Sequence, residues 1–306
     1  MNKALVTGGA GYKGTLLVKA LLDEGFHVTI LDNFLYGFDS VMGFAQNKNF
    51  HAIKKDIRNI EASDVKGFDF IFHLAGISGY PACEANPHSA QTINVTSTDR
   101  LVKLLGKEQI LAYASTTSIY GSSGQEMDEE SKIAPVSLYG VTTLEGEKIS
   151  MERQNSVSLR FATLFGVSYK MRCDLLLNDF VNKAVTERSV VLFDCHSVRT
   201  FLHVSDAIES YMMIARDPTS MCGEVYNVGA NNMNYSKLQL TEKIKEHTPF
   251  EIIKSDLEDP DRRDFIINFN KIQALGFKSK ISMDDGIKEL LHLYSWYRPY
   301  TVYRTI

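Results

Sequence analysis

Glycines near the start of the chain follow the spacing of a phosphate-binding turn. They stand at positions 8, 9, 11 and 14, after the apolar run 4–7 and before a helical pattern. Cβ atoms there would hold the backbone away from a pyrophosphate, and the free N–H groups of the following helix attract its charge. The spacing, together with the residues inside it, therefore predicts a dinucleotide site formed by Gly8, Gly11, Tyr12, Lys13 and Gly14.

Two carboxylates follow at the ends of the next predicted strands. Asp32 lies about twenty residues beyond the turn, where a carboxylate accepts hydrogen bonds from ribose hydroxyls and repels a 2′-phosphate, which favours NAD over NADP. Asp56 is predicted to bind the adenine amino group, although a surface turn would also suit it. Their neighbours Asn33 and Ile57 belong to the same predicted cofactor site.

The composition excludes several classes of protein. The 306 residues are 44% hydrophobic and 23% charged, which is an ordinary globular balance. The net charge of −4 and the lack of a basic stripe argue against a nucleic-acid partner. The four scattered cysteines indicate free thiols in a reducing compartment. No bilayer-spanning apolar run and no signal peptide are visible, so we expect a cytoplasmic protein with no membrane partner.

Strand and helix patterns alternate up to about residue 165. These strands and helices must position the glycine turn and the two carboxylates. This rhythm predicts an α/β fold, a Rossmann-type doubly wound parallel sheet. The predicted strands are 4–7, His27–Leu31, Asn49–Lys54, Phe68–Leu74, Ile110–Ala114 and Val157–Arg160, and the predicted helices are Thr15–Glu24, Pro87–Leu105 and Leu138–Arg153.

Beyond residue 165 the rhythm changes, which predicts a smaller, interleaved C-terminal substrate lobe. We expect residues 1–165 to form the NAD-binding domain, which also receives roughly 195–229, and residues 166–306 to be mainly the substrate-binding lobe. The predicted elements there are strands Val190–Phe193, Phe201–Val204 and Val225–Gly229, and helices Asp174–Thr186, Asp206–Ala215, Lys237–His247 and Met283–Tyr294.

Ordered motifs along nearly the whole chain resemble those of the extended short-chain dehydrogenases, also called the NAD-dependent epimerase/dehydratase family. The matching segments are 7–14, Asp32-Asn33, 56–58, 73–76, Asn94, 115–121, 139–141, Arg160-Phe161, 199–206 and 226–229. The resemblance implies tightly held NAD, a nucleotide-sugar substrate and a homodimer built on helices near 90–105 and 139–153. It also adds Leu74, Ala75 and Gly76 to the cofactor site.

The resemblance further implies a catalytic tyrosine in the motif Y-x-x-x-K. Tyr139 matches the tyrosine, but Thr143 stands in place of the lysine. An ammonium ~4 Å from the phenol is worth ~4 kcal/mol at an effective dielectric of ~20, enough to lower a pKa of about 10 by up to about three. Threonine cannot do this. We hypothesise that Tyr139 remains the acid–base residue, next to the nicotinamide, with weakened activation. The cationic nicotinamide or Lys13 would replace part of the lost charge, although a solvent-facing Lys13 is equally consistent.

Thr116 matches the hydroxyl residue that orients the reacting sugar hydroxyl toward the tyrosine. In 4,6-dehydratases the next two positions carry an aspartate and a glutamate, which eliminate water. Here they are Thr117 and Ser118, so the resemblance disfavours a dehydratase. The 3,5-epimerisation of GDP-fucose synthases, which requires a cysteine at position 118, is disfavoured as well.

The resemblance places substrate-binding groups in the C-terminal half. Arg199 corresponds to an arginine on the substrate diphosphate, and Arg262 or Arg263 is the candidate for a second contact, because guanidinium groups bind phosphate as a rigid fork. Asn178 is predicted to donate to a phosphate, and Thr117 to lie against the substrate. No cluster of histidine, cysteine and carboxylate residues has metal-site spacing, so no metal is expected.

The predicted chemistry is the removal of a proton and a hydride, at C4 of the sugar. The favoured prediction is an NAD-dependent 4-dehydrogenase acting on a GDP-heptose or related sugar nucleotide. It draws on the resemblance of residues 79–83 and 172–175 to enzymes of bacterial surface-polysaccharide pathways. The alternative is a UDP-hexose 4-epimerase. A third hypothesis is a catalytically silent NAD-binding protein that has lost its lysine.

Overall fold

The strands of the protein alternate with helices as the sequence predicts. The computed structural model describes residues 2–258 and 263–298. Within them the strands are β1 (Lys3–Thr7), β2 (His27–Asp32), β3 (Phe50–Lys54), β4 (Phe70–His73), β5 (Ile110–Thr116), β6 (Ser122–Met127), β7 (Ser156–Phe161), β8 (Thr163–Phe165), β9 (Ser189–Leu192), β10 (Val198–His203), β11 (Val225–Val228), β12 (Asn234–Ser236), β13 (Glu251–Lys254) and β14 (Asp264–Ile267).

The helices of the described chain cover both faces of the central sheet and build the smaller lobe. They are α1 (Tyr12–Asp23), α2 (Ala62–Val65), α3 (Tyr80–Ala85), α4 (Pro87–Ala90), α5 (Ser97–Leu104), α6 (Leu138–Met151), α7 (Leu176–Thr186), α8 (Val204–Arg216), α9 (Lys237–Lys245), α10 (Asn270–Ala274) and α11 (Met283–Trp296). None of the helices in these residues is long and apolar enough to cross a membrane.

A seven-stranded parallel sheet forms the centre, in the order β3-β2-β1-β4-β5-β7-β11. The chain moves outward from β1 to β3 and then returns to place β4 on the other side of β1. This reversal of strand order opens a crevice at the carboxyl ends of β1 and β4, where doubly wound folds bind ligands. The predicted fold class is confirmed.

Consecutive residues of the central strands point into different cores. Ala4 and Val6 face the core shared with α1 and α8, whereas Leu5 faces the opposite core, which includes Leu101 of α5. Because side chains alternate along a strand, a strand covered on both faces must be apolar throughout. This explains why the predicted strands are continuous apolar runs.

The C-terminal half has its own core and small sheets. Strands β8, β10 and β12 form one sheet, β9 pairs with β13, and β6 pairs with β14. Helices α7, α9 and α11 pack together around buried residues that include Phe180, Leu240 and Leu290. Strand β11 instead joins the edge of the central sheet beside β7, so the chain after residue 165 contributes to both cores.

The structure corrects one long predicted helix and adds strands. The predicted helix Pro87–Leu105 is interrupted by a π-helical segment, Gln91–Thr96, between α4 and α5. Strands β6, β8, β12, β13 and β14 were not predicted. Most of them are short, and β13 keeps three of its four side chains exposed, so they lack the apolar pattern of a buried strand.

A buried ion pair ties α6 to the central sheet. Arg160 of β7 donates to Glu147 of α6 with an Nη2–Oε1 distance of 2.7 Å, and both side chains are about 5% exposed or less. The Ser158 hydroxyl also donates to Glu147, and Arg160 donates to the Tyr120 hydroxyl at 2.7 Å. Because each charge has a partner, the pair fixes the position of α6 without leaving an unsatisfied ion.

We predict that Glu147→Gln lowers the free energy of unfolding by about 3 kcal/mol, because it leaves the Arg160 guanidinium buried without its carboxylate. Urea unfolding followed by circular dichroism measures this. Glu152→Gln, at the exposed end of the same helix, is the matched control and should change stability by less than about 0.5 kcal/mol. Equal stability of the two variants would contradict the prediction.

Candidate active site

The turn between β1 and α1 leaves no room for a side chain at Gly8 or at Gly14. Gly8 has a φ of 71°, and a Cβ on it would lie 2.7 Å from the Ala75 nitrogen. A Cβ on Gly14 would lie 2.7 Å from the Gly9 Cα. Gly11 is the N-cap of α1. Within the described chain, no side chain caps this helix and its first turn contains no acidic residue. The N–H groups of that turn are therefore available to an anion.

Asp32 is held at the end of β2, beside the turn. Its carboxylate accepts from the Ala10 nitrogen at 3.0 Å and the Phe34 nitrogen at 2.9 Å. Burial raises the pKa of this carboxyl, and the backbone donors oppose the rise. Asn33 is exposed and accepts from the Leu35 nitrogen. A carboxylate fixed at this place, next to the glycine turn, suits hydrogen bonding to ribose hydroxyls.

Asp56 already has a cationic partner. Arg58 donates to it through Nη2 at 2.6 Å and through Nε at 3.0 Å, and this contact lowers the pKa of the carboxyl. The Ile57 side chain is buried in the core that also contains Leu5. The structure thus gives Asp56 the character of a surface turn carboxylate, and its contact with adenine stays a prediction.

The loop after β4 is fixed by an amide from the π-helical segment. Asn94 accepts from the Ile77 nitrogen at 2.8 Å, and it donates to the Ile77 carbonyl at 2.9 Å and to the Thr142 hydroxyl at 3.1 Å. The predicted cofactor residues Leu74, Ala75 and Gly76 therefore lie between the glycine turn and α6. The π-helical geometry, which is common at functional sites, was not visible in the sequence.

Tyr139 and Thr116 come together from two different elements. The Ser137 hydroxyl accepts from the Gly140 nitrogen at 3.1 Å and so begins α6, which puts Tyr139 in its first turn. Thr116 ends β5, and its hydroxyl lies close enough to the Tyr139 phenol to lower the pKa of that phenol. Burial raises the pKa of this phenol, whereas the Thr116 hydroxyl and the charges of Arg263 and Arg172 act to lower it.

Thr143 lies on the same side of α6, one turn further along. Its side chain is buried, and its carbonyl accepts from the Tyr113 hydroxyl at 3.2 Å. No charged group stands at this position, so α6 itself supplies no cation to the Tyr139 phenol.

Cations reach the site from elsewhere. Lys13, in the first turn of α1, lies with Nζ 4.1 Å from the centroid of the Phe161 ring. Burial, and to a smaller extent the Arg172 charge, lowers the pKa of its amine to about 7. Arg172 was not predicted as a site residue. It donates to Asp174 at 2.5 Å and to the Ser78 hydroxyl at 2.7 Å.

Arg263 also lies at the site, beside Ser118. Its Nη1 donates to the Ser118 hydroxyl at 2.6 Å, and the Thr116 hydroxyl donates to the same oxygen at 3.1 Å. The Thr117 hydroxyl is buried and donates to the Phe161 carbonyl at 3.2 Å. Arg262, the other candidate for the second phosphate contact, lies outside the described residues.

Three residues that were predicted to contact ligands are hydrogen-bonded to other parts of the protein or buried within it. The fully buried Asn178 side chain accepts from the Gly166 nitrogen at 3.0 Å and donates to the Arg172 carbonyl at 2.9 Å. The Tyr12 hydroxyl donates to the Gly166 carbonyl at 2.8 Å. Arg199 is 3% exposed. These contacts fix the segment that follows β8 against α1, and roles in ligand binding stay predictions.

His73 and His203, two of the histidines in the predicted strands, have protein partners. His73 lies between the hydroxyls of Thr7 and Thr98, at 2.7 and 3.0 Å, and burial lowers its pKa to about 4. His203 contacts Glu289 at 2.5 Å. In the described chain, one group has ligand atoms close enough for a metal, and it lies in the C-terminal half, where Lys243 also binds Asp284. The group consists of Glu246, His247 and Asp284.

The chain belongs to the NAD dependent epimerase/dehydratase family, whose model matches residues 4–229. An uncharacterized UDP-glucose epimerase of Bacillus subtilis (strain 168) is 30% identical over 246 residues, 74% of this chain and 76% of that protein. A putative UDP-glucose 4-epimerase of Methanocaldococcus jannaschii is 25% identical over 304 residues, 94% of this chain and 97% of that protein.

Solved structures agree with this assignment. The crystal structure of a UDP-glucuronic acid 4-epimerase from Bacillus cereus, in complex with UDP-glucuronic acid and NAD, matches with a TM-score of 0.82. The two sequences are 25% identical, and the match covers 96% of this chain and 99% of that one. This chain is therefore an NAD-dependent enzyme that modifies a nucleotide-linked sugar.

NAD fits the residues that the structure describes. Cβ atoms on Gly8 or Gly14 would overlap the backbone, the first turn of α1 has free N–H groups, and the Asp32 carboxylate lies beside the turn at the end of β2. When bound, NAD supplies the acceptor and donor of the hydride. The Tyr139 phenol and the Thr116 hydroxyl are the groups of this chain that can move and orient a proton.

We predict that Gly14→Ala weakens NAD binding at least about tenfold, because the new Cβ would overlap the Gly8 carbonyl oxygen and force the turn open. Calorimetric titration with NAD measures the affinity. Gly43→Ala is the matched control, since its Cβ would have nothing within 4 Å. Undiminished NAD affinity of Gly14→Ala would show that the turn does not hold the cofactor.

Proposed function

We propose that this enzyme is a nucleoside-diphosphate-sugar 4-epimerase that acts on a UDP-hexose. The observation that carries the proposal is the position of the Tyr139 phenol beside the Thr116 hydroxyl, which lies close enough to lower the pKa of the phenol, at the edge of the sheet that also bears the glycine turn. A base and an orienting hydroxyl at that edge suit oxidation of a secondary alcohol of a bound sugar.

In this mechanism the protein moves one proton in each direction. Thr116 orients the C4 hydroxyl of the sugar, and Tyr139 takes its proton as the C4 hydride leaves, so that a 4-keto sugar forms. After the sugar has turned its other face, the hydride returns to C4 and Tyr139 gives the proton back to the oxygen. The sugar is oxidised and then reduced, so no net oxidant is consumed.

The residues beside Thr116 argue against elimination of water. Loss of a hydroxide from the sugar needs a carboxylic acid to protonate it and a base to take the C5 proton. Thr117 carries a hydroxyl that donates to the Phe161 carbonyl, and Ser118 carries a hydroxyl bound to Arg263. Neither side chain can act as such an acid.

The relatives favour epimerisation over the net 4-dehydrogenation of a GDP-heptose that the sequence analysis preferred. Two of the relatives described above are named UDP-glucose epimerases, and the solved structure is a UDP-glucuronic acid 4-epimerase. The catalytically silent alternative is disfavoured because the Tyr139–Thr116 pair is intact despite Thr143. A protein that only binds NAD has no use for this pair.

The substrate diphosphate is assigned in the same proposal to the C-terminal lobe. Arg263 is the strongest candidate, because its guanidinium already lies within hydrogen-bond distance of Ser118 beside the reacting hydroxyls. Arg199 and Asn178 would require rearrangement to reach a phosphate, since both are buried. In this view residues 1–165, with roughly 195–229, bind NAD, and residues 166–306 mainly bind the nucleotide sugar.

The test is a panel of UDP-glucose, UDP-glucuronic acid, UDP-N-acetylglucosamine and a GDP-heptose. Products are separated by chromatography while the nicotinamide absorbance is followed. We expect a C4 epimer of one UDP-sugar with no net NADH, and we expect Tyr139→Phe to bind NAD but turn over at least about a thousandfold more slowly. Tyr226→Phe, on the edge strand β11, is the control. Stoichiometric NADH with a 4-keto product would instead identify a dehydrogenase, and no turnover at all would favour the silent alternative.

We also propose that the protein is a homodimer paired through α5 and α6, which pack against each other and leave Val141 of α6 exposed. The mass measured by light scattering should then be twice the 34.4 kDa of one chain. Val141→Glu should yield monomer, because it adds a charge to the paired face, whereas Val191→Glu on β9 should not. A monomeric wild-type protein at micromolar concentration would contradict this.

A further inference from the structure

Lys13 brings an amine to the site without a carboxylate to neutralise it. It is the second residue of α1, and its Nζ lies over the Phe161 ring. Across residues 2–258 and 263–298, its amine forms neither a hydrogen bond nor an ion pair with an acidic side chain. A partly buried cation whose described contact is an aromatic ring rather than a carboxylate keeps its charge uncompensated, so its presence calls for a ligand or a function.

Phe161 and Thr116 connect Lys13 to the surroundings of Tyr139. Phe161, which Lys13 contacts, pairs with Thr116 across β7 and β5, and the Thr116 hydroxyl lies close enough to the Tyr139 phenol to lower its pKa. The Arg172 guanidinium acts electrostatically on both the Lys13 amine and the Tyr139 phenol. One charge can influence two groups in this way only when both lie near it.

We propose that Lys13 supplies, from the glycine turn, the positive charge that position 143 lacks, and that it gains its proton when the cofactor binds. This inference rests on the proposed role of Tyr139 as the acid–base residue. It makes Lys13 a positioning residue that acts on the phenol through its charge.

The coupling to the cofactor follows from where Lys13 lies. In the free protein its pKa is about 7, so the amine is about half protonated at neutral pH. A pyrophosphate at the N-terminus of α1 brings negative charge next to this residue and favours the protonated amine. The pKa of Lys13 therefore rises on NAD binding, and the affinity for NAD should fall as the pH is raised above 7.

The two arginines near the phenol are less suited to this role. The charge of Arg172 is largely cancelled by Asp174, which accepts from its Nη2 and Nε. The Arg263 guanidinium is bound to the Ser118 hydroxyl, beside the place proposed for the substrate. Lys13 remains as the cation whose charge no described carboxylate offsets.

Other titratable groups surround Lys13, and the experiment must separate them. The charged and titratable side chains near these two groups, from α1, α3, α6, the segment after β8 and the residue before β14, include Tyr12, Cys83, Tyr139, Lys170, Arg172, Asp174 and Arg263. The arginines stay charged throughout the useful pH range. Tyr139 can be isolated by difference against Tyr139→Phe.

The test is an ultraviolet titration of phenolate in the NAD-loaded protein, with and without Lys13→Met. The Tyr139 titration is the difference between each protein and the same protein carrying Tyr139→Phe. We expect its midpoint to rise by about one pH unit or more in Lys13→Met, which is a tenfold weaker acid. The basic limb of the kcat profile should move by the same amount.

Matched variants complete the test. Lys19→Met, on the exposed face of the same helix, should leave the Tyr139 midpoint unchanged. Adding Thr143→Lys to Lys13→Met should restore it, because the charge then returns at the position where the family has it. An unchanged Tyr139 midpoint in Lys13→Met, or no restoration by Thr143→Lys, would overturn the proposal.

A second measurement needs no change at Tyr139. The Lys13 amine of the wild-type protein can be titrated by NMR of lysine labelled at Cε, with its resonance identified by its absence from Lys13→Met. We expect its midpoint to rise on addition of NAD, and equal midpoints with and without NAD would refute the coupling. Since no sugar is present, these results stand apart from the proposed function, which fails if Tyr139→Phe still forms the epimer.

Discussion

The site depends on how closely the first turn of α6 approaches the end of β5. A Cβ on Gly140 would lie 3.0 Å from the Ser118 carbonyl oxygen and 2.9 Å from the Pro135 Cβ, so only glycine permits this contact. The contact brings the Tyr139 phenol to the Thr116 hydroxyl. The buried pair of Glu147 and Arg160 fixes the rest of α6 against the sheet. A phenol placed by a helix and a hydroxyl placed by a strand thus meet without relying on a flexible loop.

The electrostatics of the site are unusual because its cations come from outside α6. Lys13 belongs to the first turn of α1, Arg172 to the segment after β8, and Arg263 directly precedes β14. Asp174 neutralises Arg172. Burial, and to a smaller extent the Cys83 thiol, raises the pKa of Tyr139, and positive charge opposes that rise. An enzyme that binds a dinucleotide and a nucleotide sugar brings several phosphate charges into such a site, which favours keeping its cations protonated.

Much of the central fold could be predicted from the sequence, because both faces of the parallel sheet are covered. Strand β1 places alternate residues in two cores, so its sequence is an apolar run. The glycines that follow mark the end of this strand. The exposed strand β13 has no such pattern and was missed. The predicted helix over Pro87–Leu105 was interrupted, because the amide of Asn94 is needed to hold the loop after β4 and a π-helical turn directs it there.

The sequence by itself determined the glycine turn, the carboxylate after β2, the phenol at position 139 and the loss of the lysine at position 143. The glycine turn and the carboxylate are local signals, since a turn that excludes Cβ atoms is visible in the residue types alone. The phenol and the missing lysine were recognised through the resemblance to the family. Only the tertiary structure decided which distant side chains surround the phenol. Arg172 and Arg263 reach it from segments far along the chain, while Asn178 is buried in contacts with the protein. The spacing of residues along the chain does not predict these long-range contacts, because they form only when separate elements pack against each other in three dimensions.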